Sequence, residues 1–302
     1  MKDIDLVVTY LNNNDKKWQR DYKTYSRIEN KKYDPFGVRF RDWDNFKYVL
    51  RSIANYMSFI NNLYIVVSDE SQIPEYVNTD TAKIIFHKDI IPEKYLPTFN
   101  SNTIELFIYK IPELSENFLY TNDDIFITNN ISAKDFYDNE MNPKIDVFEK
   151  RITRNNVYIN SLRNTQELVL NEHNVTFKSK LSLLRSNHSI NPMKKSMWKY
   201  YWDKYKNEMS NSITRFRDKS NITQELSNYH FFIKDKNNVT KRNTRYFSFI
   251  NSTTYDLENL INDKNITAIC INDNGVIDFD IYKTEVNVIL ERKYPNKCIY
   301  EK

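Results

Sequence analysis

Glycine is almost missing from this chain: Gly37 and Gly275 are the only two in 302 residues. Neither a GxGxxG dinucleotide turn nor a GxxxxGK[ST] phosphate loop can be written with them, so nucleotide phosphates would have to be bound without those loops. Collagen-like repeats are excluded as well. Cysteine is equally scarce. Cys270 and Cys298 are too few for a disulfide framework or a zinc site, which points to a reducing, cytoplasmic location. No apolar run approaches the roughly 20 residues of a membrane span. The first residues carry two acids and lead into a strand pattern, unlike a secretion signal. The seven Asn-x-Ser/Thr triplets, at Asn130, Asn174 and Asn251 among others, therefore read as products of an Asn-rich composition.

What is abundant argues for a folded core. Tyrosine (22) and phenylalanine (18) are plentiful, which excludes a disordered chain. The net charge of +4 is unevenly spread: residues 1–150 carry a net −5 and residues 151–302 a net +9. Most of the excess lies between Lys178 and Arg245, with 16 basic against 5 acidic side chains. A solvated basic face, an anionic substrate and an anionic membrane surface all suit that stretch. Nucleic acid is disfavoured, because the overall charge is mild and no recognition module occurs.

Ile4–Leu11 is a nearly continuous apolar run of strand length, as are Leu63–Val67, Ala82–Phe86, Phe118–Thr121 with Ile125–Ile127, and Ile266–Ile271. Between them residues 43–60 have helical period, with Asp42 or Asp44 as cap. Residues 102–111 also read as helical, with Asn100 or Ser101 as cap. Alternation of strand and helix predicts an α/β fold around a mainly parallel sheet. The second half predicts short strands and turns over 145–185, helices over 193–209, 222–233 and 280–294, and a return to the α/β core at its end. The expected organisation is one catalytic domain over 1–302, with its core in 1–150 and 262–302 and a basic, partly helical section at about 178–245.

In open α/β sheets ligands bind beyond the carboxyl ends of the strands. Asn12–Asp15, Ser68–Asp69 and Asn122–Asp124 sit at such ends. Asn122-Asp123-Asp124 is either a polar turn or a site for a hard, oxygen-seeking dication and its phosphate ligands. Arg39-Phe40-Arg41-Asp42 and Arg215-Phe216-Arg217 each bracket an aromatic with two guanidinium groups, which match phosphate oxygens unless they are merely surface pairs. His188 lies in a loop of the most basic region and suits a general base; Asp273, after a buried-type strand, can join the acidic cluster.

Taken in order, these stretches resemble the Stealth family of bacterial capsule and surface-polysaccharide phosphotransferases. Asp3-Ile-Asp-Leu-Val-Val-Thr-Tyr, with Asp15 and Trp18, resembles its first block. Arg39-Phe-Arg-Asp, Leu50-Arg-Ser-Ile, Leu63-Tyr-Ile-Val-Val, His87-Lys-Asp-Ile-Ile-Pro, Leu96-Pro-Thr-Phe-Asn-Ser-Asn, Ile111-Pro and Phe118-Leu-Tyr-Thr-Asn-Asp-Asp resemble the second. His188 with Arg215-Phe-Arg-Asp, and Cys270-Ile-Asn-Asp, resemble the third and fourth. Asn12-Asn-Asn stands where the family usually has Asp-Gly-Ser, Asn102 where histidine is common, and Asn274 where an acid is common.

The resemblance implies a Rossmann-like, GT-A-like core and transfer of a sugar 1-phosphate from a UDP-sugar to a hydroxyl of an acceptor glycan, an oligosaccharide or nascent polysaccharide, with release of UMP. It implies Mg²⁺ or Mn²⁺ on Asp123, Asp124 and Asp273. It implies His188 as base, with Asp124, Arg215 and Arg217 as catalytic partners. Arg39, Arg41, Asp42, Asn100 and Asn122 become the donor-binding set. Alternatives are a conventional metal-dependent glycosyltransferase releasing UDP, a degenerate glycan-binding or scaffold protein, and a peripheral membrane module anchored on the inner face through the Lys- and Trp-rich helix at 193–209.

Overall fold

Apolar, β-branched runs account for the centre of the molecule. In a computed structural model that describes residues 3–177, 179, 181–250, 252–273 and 275–302, β1 (Ile4–Thr9) is the middle strand of a five-stranded sheet. The expectations placed on Lys178, Asn251 and Asn274 lie outside the described residues. β2 (Leu63–Val67), β3 (Ala82–Phe86) and β4 (Asn117–Asn122) run parallel to β1 in the order β3-β2-β1-β4. That is a Rossmann-like, mainly parallel α/β sheet. β5 (Ile125–Ile127) leaves it immediately after Asp123 and Asp124. β6 (Val147–Arg151) and β7 (Ser182–Ser186) pair as a ribbon. β8 (Asn191–Lys194) closes the main sheet antiparallel to β4. β9 (Thr244–Phe247) and β10 (Ala268–Ile271) join β5 in a second, three-stranded sheet.

Both faces of the main sheet are covered, which is why its strands read as unbroken apolar runs. Leu6, Val8, Ile65, Val67 and Leu119 pack against helix Phe46–Tyr56, β5, β10 and helix Phe279–Lys293. The alternate residues Val7, Tyr64, Val66, Phe118 and Tyr120 face Trp198, Tyr201, Leu226 and Tyr229 of the basic section. Trp198 and Tyr201 are fully buried, and Trp202 donates its indole N–H to the Leu106 carbonyl at 2.9 Å. Two of the aromatic residues expected at a membrane face, Trp198 and Tyr201, thus belong to the core, while Tyr200 is exposed. No helix among the described residues is long and apolar enough to cross a membrane.

Several elements differ from the sequence expectation. Helix 193–209 is divided: β8 takes its first residues, and Lys195–Lys204 and Lys206–Asn211 form two shorter helices. Helix 102–111 contracts to Ser101–Glu105 followed by a 3₁₀ turn at Ile108–Lys110, with Asn100 accepting from the Asn102 amide as cap. The cap of helix Phe46–Tyr56 is Asn45, while Asp42 accepts the Asp44 amide in a turn before it. The last strand enters the second sheet, not the main one. Within 145–185 lies a 16-residue helix, Val157–Glu172, whose buried face includes Ser161, Thr165 and Gln166; that polar face hid its period. Helix Lys16–Ile28, capped by Asp15, was equally masked by Lys and Arg, although Trp18, Tyr22 and Ser26 repeat every fourth residue on its buried face.

Turns are made with little glycine. Asn30, Asp44, Glu113, Met141 and Asn174 adopt positive φ. Asn30 and Asn174 do so just beyond helix ends, the position glycine usually takes.

His87 is buried at the end of β3, and burial pushes its imidazole down to about 4. The unfolded chain therefore binds a proton between pH 6.5 and 4 that the folded chain refuses. His87 contributes stability above pH 6.5 that is lost as pH falls through 4, on the order of 3 kcal/mol at most. Urea midpoints should drop between pH 7 and 4.5, and His87→Leu should make that drop shallower; an unchanged slope would remove His87 from the acid response.

Candidate active site

The carboxyl end of β4 brings the predicted acids to the rim where β4 and β5 diverge. Asp124 is the centre. Its Oδ2 receives His188 Nε2 at 3.3 Å, Cys270 Sγ at 3.3 Å and Asn272 Nδ2 at 3.4 Å. Its backbone carbonyl accepts from the Ile271 amide at 3.0 Å, which fixes the turn to β10. Burial alone would raise this carboxyl, but His188, Cys270 and Asn272 outweigh it and hold it below the ordinary range. His188 responds in the opposite sense: burial would lower its imidazole, and Asp124 raises it above the usual value. An imidazole oriented by a carboxylate on one nitrogen, with 40 % of its side chain exposed, has the form of an oriented base.

Asp123 turns to the other side, where Oδ2 accepts the Leu11 amide at 3.3 Å. Burial, then the charges of Asp124 and Asp42, push it up to about 8. Asp42 is raised too, by burial first, and receives the Tyr10 hydroxyl at 3.4 Å. Asn122 donates to Tyr120 Oη at 3.1 Å and to Thr9 Oγ1 at 3.4 Å, and Tyr120 in turn donates to the buried Glu105. The β1 side of the rim is held by Gln72, whose carboxamide makes paired bonds with the Asn12 backbone at 2.6 and 3.0 Å.

A hard dication fits here. Asp124 Oδ1 is buried without a partner, and Asp123 carries a strongly raised carboxyl beside two other acids. The free oxygen of Asp124 is the donor such an ion would take, with Asp123 the next carboxylate along the chain. Asp124, His188 and Cys270 also place ligand atoms within 4.8 Å of one another. The Cys270 thiol, however, is raised well above its ordinary range by burial and then by Asp124, so it acts as a proton donor to Asp124. Asp273 does not join the acids. Arg41 clamps both of its oxygens, at 2.5 and 2.6 Å, and stacks on Phe279.

Residues 39–145 match the family model described as Stealth protein CR2, conserved region 2. A chain-long relative, an exopolysaccharide phosphotransferase of Lactiplantibacillus plantarum, is 29 % identical over 99 % of this chain and 96 % of that one. This chain belongs to the Stealth family. A capsular polysaccharide phosphotransferase of Streptococcus pneumoniae is 26 % identical over 100 % of this chain and 99 % of its own length. Another, of Actinobacillus pleuropneumoniae, is 32 % identical over 72 % of this chain and 62 % of the relative. Among solved structures, mouse xyloside xylosyltransferase 1 aligns at a TM-score of 0.39 and 10 % identity, covering 92 % of this chain and 100 % of that chain. The galactosyltransferase LgtC aligns at 0.39 and 10 %, covering 97 % of each.

The remaining predicted residues of this Stealth chain divide. Phe40 and Phe216, the centres of the two Arg-Phe-Arg segments, meet in one aromatic cluster with Trp18, Tyr22 and Phe99. Arg39 and Arg217 thereby come close enough that burial, then the charge of Arg217, lowers the Arg39 guanidinium. Arg217 donates to Ser101 Oγ at 2.7 Å. Arg215 turns away: it pairs with Glu29 at 2.6 Å and donates to the Leu96 and Pro97 carbonyls. Asn100 is fully buried and holds the 214–221 loop through Thr214 and Asn221. Cys270 and Asn272 as partners of Asp124 escaped sequence reading, since nothing in their spacing signals a contact across 146 and 148 residues.

Arg41→Met should cost about 3 kcal/mol, because it strands the nearly buried Asp273 carboxylate. Arg41→Met with Asp273→Leu should recover most of that loss in urea denaturation. Equal losses in the single and double variants would mean that the pair is not a buried ionic clamp.

Proposed function

We propose that this protein transfers a hexose- or N-acetylhexosamine-1-phosphate from a UDP-sugar to a hydroxyl of an acceptor glycan, releasing UMP, in capsule or surface-polysaccharide synthesis. The observation that carries this reading is the Asp124–His188 hydrogen bond, made across 64 residues at the carboxyl edge of β4, beside a second acid. The relatives' names supply the class of group transferred.

In this scheme Asp124 holds Nε2 of His188 and leaves Nδ1 for the acceptor hydroxyl. His188 takes the hydroxyl proton as oxygen attacks the phosphorus bearing the sugar, and the bond from that phosphorus to the UMP oxygen breaks. Direct displacement needs no covalent enzyme intermediate. Arg39 and Arg217 bind the donor's phosphate oxygens. Arg41, Arg215 and Asn100 act as positioning residues: Arg41 fixes Asp273 and the β10 turn, while Arg215 and Asn100 fix the loop that presents Arg217. Asp123 and Asp124 would hold Mg²⁺ or Mn²⁺, which supplies charge neutralisation at the phosphates when bound. Asn122 and Asp42 shape the donor side of the rim.

Incubation with UDP-glucose, UDP-galactose or UDP-N-acetylglucosamine, Mg²⁺ and short capsule-type oligosaccharides should release UMP and place phosphorus in the glycan. EDTA should stop the reaction and Mg²⁺ restore it. His188→Ala should lower turnover about 10²- to 10⁴-fold. Release of UDP in place of UMP would make the protein a conventional glycosyltransferase, and near-normal turnover of His188→Ala would remove the base from the scheme.

A further inference from the structure

Asp124 and His188 meet over one face of the second sheet. Cys270 reaches Asp124 from β10, so its side chain marks that face. Residues two apart on a strand point the same way. Ala268 therefore shares the face of Cys270, with Thr244 of β9 beside it in register. At this end of the sheet lies a cavity of about 300 Å³. Ser189 and Ile190, the residues directly after His188, form part of its wall, and Thr240 and Arg242 form another part. The cavity thus begins one residue along the chain from the base and two residues along β10 from the Asp124 contact.

The wall is chemically unusual. Ser189 Oγ, Thr244 Oγ1 and Arg242 Nε are buried there with no hydrogen-bond partner. Ser189 is only 5 % exposed. Three of the eleven such atoms among the described residues gather in this one wall, where a bound molecule that turned the Ser189 or Thr244 hydroxyl toward the cavity would supply partners. Hydroxyl, amide and guanidinium groups alternate with the apolar surfaces of Ile190, Phe136 and Ala268. A sugar ring matches that mixture, with hydroxyls around its edge and C–H groups on its faces.

We propose that this cavity is an acceptor subsite. It holds the sugar unit adjoining the one whose hydroxyl attacks, and so selects the acceptor glycan and sets which hydroxyl reaches His188. The inference rests on the transfer reading above, with the cavity adding the recognition of the second substrate.

The test combines binding with kinetics. Saturation-transfer NMR on the full chain, with methyl glycosides of glucose, galactose and N-acetylglucosamine as probes, should show contact for at least one. Thr240→Trp, which fills the cavity, should abolish that contact, and His188→Ala should keep it. In the transfer assay Thr240→Trp should raise the acceptor KM at least about tenfold with little change in donor KM. Thr244→Val, which keeps shape and removes one unpaired hydroxyl, should raise acceptor KM about fivefold and guards against misfolding of the larger change. No contact from any probe, or contact that survives Thr240→Trp, would overturn the subsite. UMP release with a wild-type acceptor KM in both variants would also overturn it while leaving the transfer reading intact. Probe contact blocked by Thr240→Trp, with UDP released in place of UMP, would do the reverse.

Discussion

The aromatic cluster of Trp18, Tyr22, Phe40, Phe99 and Phe216 is the constraint on which the site depends. Its members come from a helix near the start of the chain, from the two Arg-Phe-Arg segments and from the loop before Asn100. The loop before Asn100 and the second of those segments share a backbone hydrogen bond, from the Phe99 amide to the Arg215 carbonyl at 2.8 Å. The pieces are joined by ring contacts about 5–6 Å between centroids, and such contacts stabilise both by area and by edge-to-face geometry. Burying each phenylalanine forces its flanking arginines outward. One flank then has to be neutralised, as Arg41 is by Asp273 and Arg215 by Glu29, and the other is left to face its counterpart, as Arg39 faces Arg217. Like charges are placed together because packing beneath them decides it.

The acidic side of the rim is arranged by the opposite logic. Asp123 and Asp124 are chain neighbours, yet their environments push them apart. Asp124 is surrounded by donors and stays ionised, whereas Asp123 has the backbone amides of Leu11 and of its own residue against two other carboxylates. Adjacent carboxylates with separated proton affinities are a recurring way to give two acids different tasks. Here one orients an imidazole and the other keeps its proton to higher pH. The turn between β4 and β5 supplies this division, sending Asp123 to the Leu11 amide and Asp124 to His188.

Much of this was legible in advance, and the misses have physical causes. β2 and β5 were readable to the residue because doubly buried strands must be apolar throughout, and the edge strand β3 was readable from the rest of its run although Lys83 is exposed. Helix Val157–Glu172 was not, because it buries Ser161, Thr165 and Gln166 against neighbours that satisfy their polar atoms, and hydrophobic period cannot register such a face. The basic section looked like surface because its lysines outnumber its aromatics, yet Trp198 and Tyr201 lie in the core. At the site, Asp124 and His188 were named from residue type and motif. The engagement of Asp273 by Arg41 was not foreseen, although both residues were singled out, because a contact across 232 residues belongs to the fold and not to any local pattern. Asn100 was expected at the donor and Arg215 as a catalytic partner; Asn100 bonds Thr214 and Asn221, and Arg215 bonds Glu29 and the Leu96 and Pro97 carbonyls.

The scarcity of glycine acts on a state that no interatomic distance describes. Among the described residues five other than glycine accept left-handed backbone in the native fold, at some local strain. Each glycine left out, however, narrows the ensemble of the unfolded chain, since a residue with a Cβ has fewer backbone states to surrender on folding. The same substitution thus raises the energy of a turn and lowers the entropy of its competitor. Part of what keeps this loop-rich, polar protein folded resides in the restricted freedom of the unfolded polymer.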